Sequence, residues 1–502
     1  MQNKDNFQFI WVEMPEDAKE ILVEINTQGG LMQSTLFERK YGKIRQVGQA
    51  KRDREEIYLH PINGAEYLWY RGLIFRDFLT LQGSIEEYIY CPIELLPLIP
   101  NFIKSDHAIS LIPSHPSQYG LIFSVEDRLV DDSCTLLAWY RKGNFEHIDE
   151  ARPYLWLGKL YHTPGIYPLD LNFLQLLLEE CELIAQDGHP DIEKIRLFLS
   201  NPRPAALQQL FRAWSASLKI NELRLLPEIE CVGDWQNDAL STRKFILDQI
   251  LSIKSGQWYN LDSFVEMIYQ VAPDFQRPSA NYDIWIIRAK DSQDFLRGFE
   301  SWQYVEGRLI RYFLCGPLFW FGLITLGSNT PNSPVSSFQV NPQIKALFSE
   351  DRVEDFPSEN EKLRVQSNGK IVASRFVPRS VRYQIARFCD WESIRDDLYT
   401  YQITSDSLKQ ARKQDLSPQH LATLLKKNAH YFPANISKAL LRWEAHATEI
   451  QIKPATLLQV RSPEILEAIQ NSRLARHIKG MISPTIAILI PGSEEAVLKG
   501  LI

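Results

Sequence analysis

The sequence predicts a mainly α-helical protein with small β-hairpins, built from several helical modules and followed by a C-terminal α/β domain. Three observations lead to this fold class. First, the chain has 502 residues and is 45% hydrophobic, so it folds and is too long for a single core. Second, most apolar residues recur at helical spacing, with short alternating runs beside turn signals. Third, the charge changes sign near residue 362, which marks a separate domain.

The first module is predicted over residues 1–110. Helices begin at Glu16 and Ser34, a third runs from Ala65 to Tyr70, and two alternating runs around Gly83 form a β-hairpin. This order is typical of a winged-helix module. Its third helix is apolar and carries Glu66, whereas helices that read bases present Arg, Lys, Asn or Gln. We therefore expect this module to contact proteins or support the fold.

Two further modules are predicted before the charge changes. Residues 111–234 form a second helical or winged-helix-like module, and residues 235–327 form a third winged-helix-like module. In the third module, aromatic residues stand among Ile and Leu at periodic spacing, so we expect them in the core and not as platforms for bases; they are Trp285, Trp302, Phe313 and Trp320. Residues 328–361 are rich in Pro and Ser, carry an acidic run and predict a linker.

The last predicted domain, residues 362–502, is basic. It has 21 Lys or Arg and 12 Asp or Glu, a net charge of +9, against 34 and 50 in the first 361 residues, a net charge of −16. Its first stretch, Lys362–Cys389, contains no acidic residue. Asn368-Gly369 predicts a hairpin there, and a helix follows over Arg379–Phe388. Helical spacing places Val381, Ile385 and Phe388 on one face and the arginines on the other.

This charge pattern predicts contact with DNA phosphates. The candidate residues are basic and lie in the first third of the domain: Lys362, Arg364, Lys370, Arg375, Arg379, Arg382, Arg387, Lys409, Arg412 and Lys413. Each would add an electrostatic contact without base specificity. A solvated helix face explains the charges of Arg379–Phe388 equally well.

Motifs for catalysis are absent from the sequence. It contains no GxxxxGK[ST], GxGxxG, HExxH or GxSxG motif, and no two histidines lie three or four residues apart. Asp191 and Glu193 are too close to form a nuclease site and are better explained by a helix terminus. The doublets Asp131-Asp132 and Asp396-Asp397 are expected to cap helices or face water. We predict no enzymatic activity, cofactor or metal.

The six cysteines are widely spaced, which is typical of reduced thiols in a cytoplasmic protein. The first residues, MQNKDNFQFIW, contain no apolar run long enough for a signal peptide, and the longest uncharged run is too short for a bilayer, so we expect no membrane role.

The segment Tyr401–Ile452 resembles the helicase-associated domain found in XPB-type DNA repair helicases and in bacterial stand-alone proteins. The matching features are a strand before Ser407-Leu408, the helix LSPQHLATLL, the FPANI segment and Trp443. The preceding modules also resemble those bacterial proteins, as in EYLWYRGLIFRDF and NPRPAALQQLFRAW. The resemblance implies an accessory protein of a DNA repair or transcription helicase, and it transfers no catalytic residue. Because no nucleotide-binding motif is present, any ATP-dependent helicase would be a separate partner.

Two other functions compete with DNA binding. A protein scaffold would dock a helicase without touching DNA itself, since winged-helix cores often bind proteins and the acidic first 361 residues would repel DNA. An unrecognised nuclease built from scattered carboxylates is the other alternative, and it has no spaced motif to support it.

Overall fold

A computed structural model of the chain describes residues 4–81, 84–100, 111–162, 164–277, 280–342, 347, 358–395, 397–446, 455–490 and 492–501. The fold is mixed α/β, with about 49% helix and 16% strand in small antiparallel sheets. The predicted helices and small β-elements are present, but the strand content is higher than in a mainly α protein.

The chain divides into two compact units. The large unit comprises Met1–Asp415 and Lys427–Tyr431, and the small unit comprises Leu416–Lys426 and Phe432–Ile502. The division therefore falls beyond the predicted boundary at residue 361, because residues 362–415 pack with the preceding chain.

The α-helices, in chain order, are α1 Lys4–Glu13, α2 Glu16–Thr27, α3 Ser34–Tyr41, α4 Gln49–Glu55, α5 Gly64–Tyr70, α6 Arg128–Arg141, α7 Leu171–Glu180, α8 Ile192–Ser200, α9 Arg203–Ala216, α10 Glu222–Leu225, α11 Ala239–Ser252, α12 Leu261–Val271, α13 Arg308–Cys315, α14 Pro317–Trp320, α15 Arg379–Phe388, α16 Ser405–Arg412, α17 Pro418–Asn428, α18 Ala434–His446, α19 Pro463–Gln470 and α20 Glu494–Leu501.

The strands are β1 Leu31–Gln33, β2 Phe75–Leu81, β3 Ser84–Tyr90, β4 Leu121–Phe123, β5 Ile229–Cys231, β6 Trp258–Asn260, β7 Ile287–Ala289, β8 Ile324–Ser328, β9 Ser337–Val340, β10 Arg364–Val365, β11 Lys370–Ser374, β12 Asp390–Arg395, β13 Leu398–Gln402, β14 Leu457–Gln459, β15 Ile478–Ser483 and β16 Ile486–Leu489.

The N-terminal module, residues 4–100, has the helices and the hairpin that the sequence predicts. Helices α2, α3 and α5 are followed by β2 and β3, and β1 completes a sheet of order β1-β3-β2. The predicted turn at Gly83 lies outside the described residues. Buried side chains such as Ile21, Phe37 and Leu68 form a core within this module. The module thus carries its own hydrophobic core.

The central module, residues 239–340, repeats this connectivity. Helix α11 precedes β6, helices α12 and α13 follow β6, and β8 and β9 come last; the three strands pair in the order β6-β9-β8. Trp285, Trp302, Phe313 and Trp320 are buried, as predicted. Strand β4 adds to the free edge of β8, so residues 111–234 do not form a sheet of their own.

The prediction that the linker begins at residue 328 is wrong, because part of this segment belongs to a sheet. Residues 337–340 form β9, which lies between β8 and β6, and Phe338 is fully buried. The strand is only four residues long, and the residues around it are Pro, Ser and Asn, which are typical of loops. The sequence therefore gives no local signal for a paired strand. Residues 343–346 and 348–357 of the linker lie outside the described residues.

Residues 362–415 form a sheet of order β10-β11-β13-β12 with helix α15 between β11 and β12. Helix α15 packs against α6 and α8. The hairpin predicted at Asn368-Gly369 and the helix predicted after it are both present.

The small unit has the same connectivity as the other two modules. Helix α18, strand β14, helix α19 and a short 3-10 helix, Arg473–His477, lead into the hairpin of β15 and β16. The sheet order is β14-β16-β15. Three segments of the chain therefore share one plan, in which a hairpin pairs its second strand with the strand that follows the first helix.

Within the large unit, Arg39 of the N-terminal module contacts the central module. Its guanidinium donates two hydrogen bonds to Asp274, at 2.6 and 2.5 Å. It also lies 4.5 Å from the ring centre of Phe299, and the Tyr282 hydroxyl donates to the same carboxylate at 2.7 Å. A planar guanidinium suits both the bidentate pair and the ring.

Gly322 allows the end of α14 to approach the segment before α6. Its φ is +67°, and an added Cβ would lie 2.0 Å from the carbonyl oxygen of Glu126. Gly256 has a similar φ of +80°, but no atom lies within 4 Å of an added Cβ. Substitution of Gly256 would therefore cause backbone strain alone, whereas substitution of Gly322 would cause both strain and steric overlap.

We expect Gly322→Ala to lower the free energy of unfolding by about 3 kcal/mol or more, because left-handed strain and overlap add. Gly256→Ala, the matched control, should cost about 1–2 kcal/mol from the strain alone. Urea unfolding of both variants measures the difference. Equal losses would show that the backbone near Glu126 moves aside.

Candidate nucleic-acid interface

Helix α6 carries two carboxylates into the interior of the large unit. Asp131 and Asp132 are both buried, and Asp127 just before the helix is buried too. The neighbouring hydroxyls of Ser133 and Thr135 are buried as well, and they donate to the carbonyls of Leu129 and Asp131. The sequence prediction that Asp131 and Asp132 cap a helix or face water is wrong for Asp131. Asp132 does not face water either, but it accepts from the backbone N–H groups of Trp156 and Leu157 at 2.7 and 2.8 Å, where a short 3-10 helix, Leu157–His162, begins.

Arg203, at the first position of α9, binds the side chains of Asp127 and Asp131. It donates to Asp127 at 2.5 Å and to Asp131 at 2.6 and 3.1 Å. A further bond of 2.9 Å reaches Glu359. Burial disfavours its charge, but the charges of Asp131 and Asp127 outweigh this effect and raise the pKa of Arg203.

Three arginines of the predicted basic surface join the same cluster. Arg375 donates to Asp127 and, at 3.1 Å, to Glu126. Arg379 donates to Glu359 at 2.6 Å and to the carbonyl of Asn201.

Arg382 belongs to the same cluster and is 1% exposed. It donates to the Thr135 hydroxyl at 2.9 Å and to the Asp131 carbonyl at 2.9 Å. Its guanidinium also lies 4.0 Å from the ring centre of Tyr399.

We call this set the arginine cluster: Arg203, Arg375, Arg379 and Arg382 with Glu126, Asp127, Asp131 and Glu359. Four cations face four carboxylates, so the formal charges balance. Burial would raise the pKa of Asp131, but Arg203, Arg382 and Arg375 lower it below its ordinary value. The cluster lies within the large unit and joins α6, α9 and α15.

The prediction of an exposed basic face on α15 is therefore wrong. Arg375, Arg379, Arg382 and Arg387 are between 0 and 7% exposed. Arg387 has no carboxylate partner among the described residues and donates to Gln414 and Gln384 at 3.0 and 3.1 Å. Burial lowers its pKa. Helical spacing separated the arginines from the apolar residues correctly, but a second protein surface covers the arginine side.

The remaining candidates lie nearer the surface. Lys362, Arg364, Lys409, Arg412 and Lys413 are exposed. Lys409 pairs with Asp406 on its own helix at 2.7 Å. Lys370 is half-buried and pairs with Glu392 at 2.8 Å.

Other acidic and polar predictions have mixed outcomes. Asp191 caps α8 by accepting from the backbone of Lys194 at 3.0 Å, as predicted. Asp397 is half-buried and pairs with Arg128 at 2.9 Å, whereas Asp396 lies outside the described residues. All six cysteines are free, and Cys181 and Cys231 are partly exposed.

Exposed cations that sequence reasoning missed lie in the small unit. Arg473 and Arg476 lie on the short 3-10 helix, one turn apart, and Lys479 lies on β15. All three are exposed, and no ion pair involves them within the described chain. The Arg476 Nε–H donates to Nε2 of His477 at 3.2 Å. We call these three residues the cationic edge.

A sequence signal for the cationic edge exists. No Asp or Glu occurs between Glu467 and Glu494, so cations in this interval have no acidic neighbour along the chain. The corresponding positions of the N-terminal module differ. There, α5 carries Glu66, which is buried and accepts from Arg45 at 2.7 Å.

Two comparisons with known proteins found no match. No family model matches the chain, and a search of curated proteins found no match either. The resemblance to helicase-associated domains stays a prediction.

Two searches of the described residues found nothing. They contain no group of three or more His, Cys, Asp or Glu placed to hold a metal ion. They also contain no helix with the length and apolar character needed to cross a membrane.

We expect Arg382→Met to lower the free energy of unfolding by about 3–5 kcal/mol, because it leaves Asp131 buried with fewer partners. The control Lys409→Met removes an exposed cation of the same predicted set and should change the free energy by less than about 0.5 kcal/mol. Chemical denaturation checks both. Similar small losses would mean that the arginine cluster does not hold the large unit together.

We also expect a pH dependence from Asp131, whose pKa is lowered in the folded state. Its contribution to stability is present above its unfolded pKa of about 3.9 and is lost as the pH falls through the lower folded value. The difference in unfolding free energy between wild type and Asp131→Asn should be large at pH 7 and smaller at pH 3. Asp406→Asn, an exposed control, should show little difference at either pH. A difference for Asp131→Asn that does not change with pH would contradict the assignment.

Proposed function

We propose that this chain is a non-enzymatic DNA-binding accessory protein that holds the phosphate backbone through the cationic edge of its small unit. The observation that carries the proposal is the exposure of Arg473, Arg476 and Lys479 without acidic partners. Three of the arginines that the sequence predicts for this role, Arg375, Arg379 and Arg382, are buried and paired with carboxylates inside the large unit, so we place the contact in the C-terminal part of the basic domain.

The connectivity of the small unit supports this proposal. A helix, a strand, two helices and a hairpin whose second strand pairs with the first strand are the plan of a winged helix. In winged-helix and related DNA-binding modules the helix before the hairpin lies nearest to DNA. The cationic edge occupies that helix and the first strand of the hairpin.

The chemistry favours phosphates over bases as the ligand. Arg473 and Arg476 project from a helix of five residues, and the neighbouring Lys479 side chain is a flexible point charge. Such groups bind a polyanion by releasing condensed counterions and carry little base information. Binding should therefore depend on salt and tolerate changes of sequence.

We further propose that the partner is a separate ATP-dependent helicase of DNA repair or transcription, in the cytoplasm. The support is the resemblance of Tyr401–Ile452 to helicase-associated domains and the free cysteines. The chain itself has no nucleotide-binding motif.

The arginine cluster favours a second candidate function. The buried cations of the arginine cluster pair with carboxylates of the same chain and do not reach DNA, which leaves protein docking as the alternative role of the large unit. Exposed apolar side chains support this role: Phe9 and Val12, one turn apart on α1, are 75 and 71% exposed. In that case the protein would dock a helicase and have no DNA affinity of its own.

We expect the triple variant Arg473→Gln, Arg476→Gln and Lys479→Gln to flatten the slope of log K against log salt by about two to three, because each lost phosphate contact removes about 0.9. Fluorescence anisotropy of labelled duplex DNA at several salt concentrations gives the slope.

The matched control removes three exposed cations of the large unit, Arg212, Lys244 and Lys254, by the same change to Gln. The control has the same net charge as the triple variant and should keep the wild-type slope. Equal slopes for all three proteins would remove the cationic edge from the proposal. Absence of DNA binding by the wild type, together with recovery of a helicase after nuclease digestion, would favour the scaffold.

A further inference from the structure

The β15–β16 hairpin, which carries Lys479 of the cationic edge, has an apolar tip. Met481 and Ile482 on β15 are 44 and 56% exposed, and Pro484 in the turn is exposed too. The turn is short and held by Ser483, whose Oγ accepts from the backbone of Thr485 at 3.3 Å. Exposed apolar side chains that form a continuous patch rimmed by polar residues mark contact sites more often than single ones do.

Irregular strand pairing coincides with the exposed positions of Lys479 and Ile482. Between β15 and β16 the register shifts once between Ile478 and Gly480 and again between Met481 and Ser483. The residues inside the two shifts, Lys479 and Ile482, have no directly opposite partner on β16. Such bulges redirect side chains and recur beside functional sites. Strand β15 thus exposes one cation, Lys479, and one apolar side chain, Ile482, three residues apart.

This pairing of charge and apolar surface restricts the ligand. A phosphate backbone accounts for Arg473, Arg476 and Lys479 but offers nothing to Met481 and Ile482. Nucleic-acid bases do offer an apolar face, and proteins that distort a duplex insert Ile, Leu, Met or Pro between base steps while cations hold the backbone. A base pair at the end of a duplex presents that face without first being unstacked.

We propose that the β15–β16 hairpin binds a junction between duplex and single-stranded DNA, with Met481 and Ile482 against the terminal base pair and the cationic edge on the adjacent phosphates. This inference rests on the proposed function and specifies its ligand. It places the protein where a helicase separates strands, and it requires no chemical step by the protein.

The test compares three DNA molecules at one salt concentration: a forked duplex, the same stem closed at both ends by loops, and the corresponding single strand. We expect the wild type to bind the fork about tenfold more tightly than the closed stem, as burial of two partly exposed apolar side chains allows. The variant Met481→Ser, Ile482→Ser should lose this preference. It should still bind the closed stem within about twofold of the wild type, because the cationic edge is intact.

A second readout detects contact with the terminal base pair directly, without a measurement of affinity. 2-Aminopurine placed in the terminal base pair of the fork should become more fluorescent when wild-type protein binds, because contact with the tip disturbs its stacking. The serine variant should leave the fluorescence unchanged. Both substituted residues are partly exposed, and circular dichroism checks that the variant folds.

The outcomes separate the two proposals. Equal affinity of the wild type for the fork and the closed stem, with unchanged 2-aminopurine fluorescence, overturns the junction inference and leaves phosphate binding intact. The apolar tip would then belong to a protein contact. Tightest binding to the single strand also overturns it. If the wild type binds none of the three molecules, the proposed function fails as well.

Discussion

The packing of the large unit depends on the arginine cluster around Asp131. Moving a carboxylate or a guanidinium out of water costs several kcal/mol per ion, and only close geometry with additional hydrogen bonds offsets this cost. Here Asp131 accepts from Arg203 and Arg382, Asp127 accepts from Arg203 and Arg375, and Glu359 accepts from Arg203 and Arg379. Each cation needs carboxylates from another part of the chain, so the cluster forms only when α6, α9 and α15 are together.

Further polar contacts extend from this cluster over the neighbouring sheet. Arg128 pairs with Asp397, and Lys142 and Lys159 donate to the carbonyls of Cys389 and Ile394 at 2.9 Å each. These contacts explain why residues 362–415 belong to the large unit although their net charge differs from that of the preceding chain. Part of the difference in charge between the acidic first 361 residues and the basic residues after them therefore arises because the two segments bind each other within one fold. The exposed cations Arg473, Arg476 and Lys479, for which we propose DNA contact, lie in the small unit.

Three segments with one connectivity use the same plan differently. In the N-terminal module the helix before the hairpin buries Glu66 and serves the core. In the central module the corresponding helix is preceded by Glu306, which is fully buried against Arg277 at 2.6 Å. In the small unit the corresponding short helix exposes Arg473 and Arg476. The shared plan by itself therefore does not identify a binding surface, and the placement of charge on it distinguishes the three segments.

Local patterns in the sequence determined much of the secondary structure. The turn at Asn368-Gly369, the helix of Arg379–Phe388 and the burial of Trp302 follow from neighbouring residues, because turns, helices and apolar periodicity are short-range properties. The sequence also separated the apolar face of α15 from its arginine face. Only the tertiary structure decided that this arginine face meets Asp131 across 251 positions of the chain, since a charge pattern does not show whether water or another segment neutralises it. The same reason governs β9, whose pairing with β6 and β8 no local signal contains.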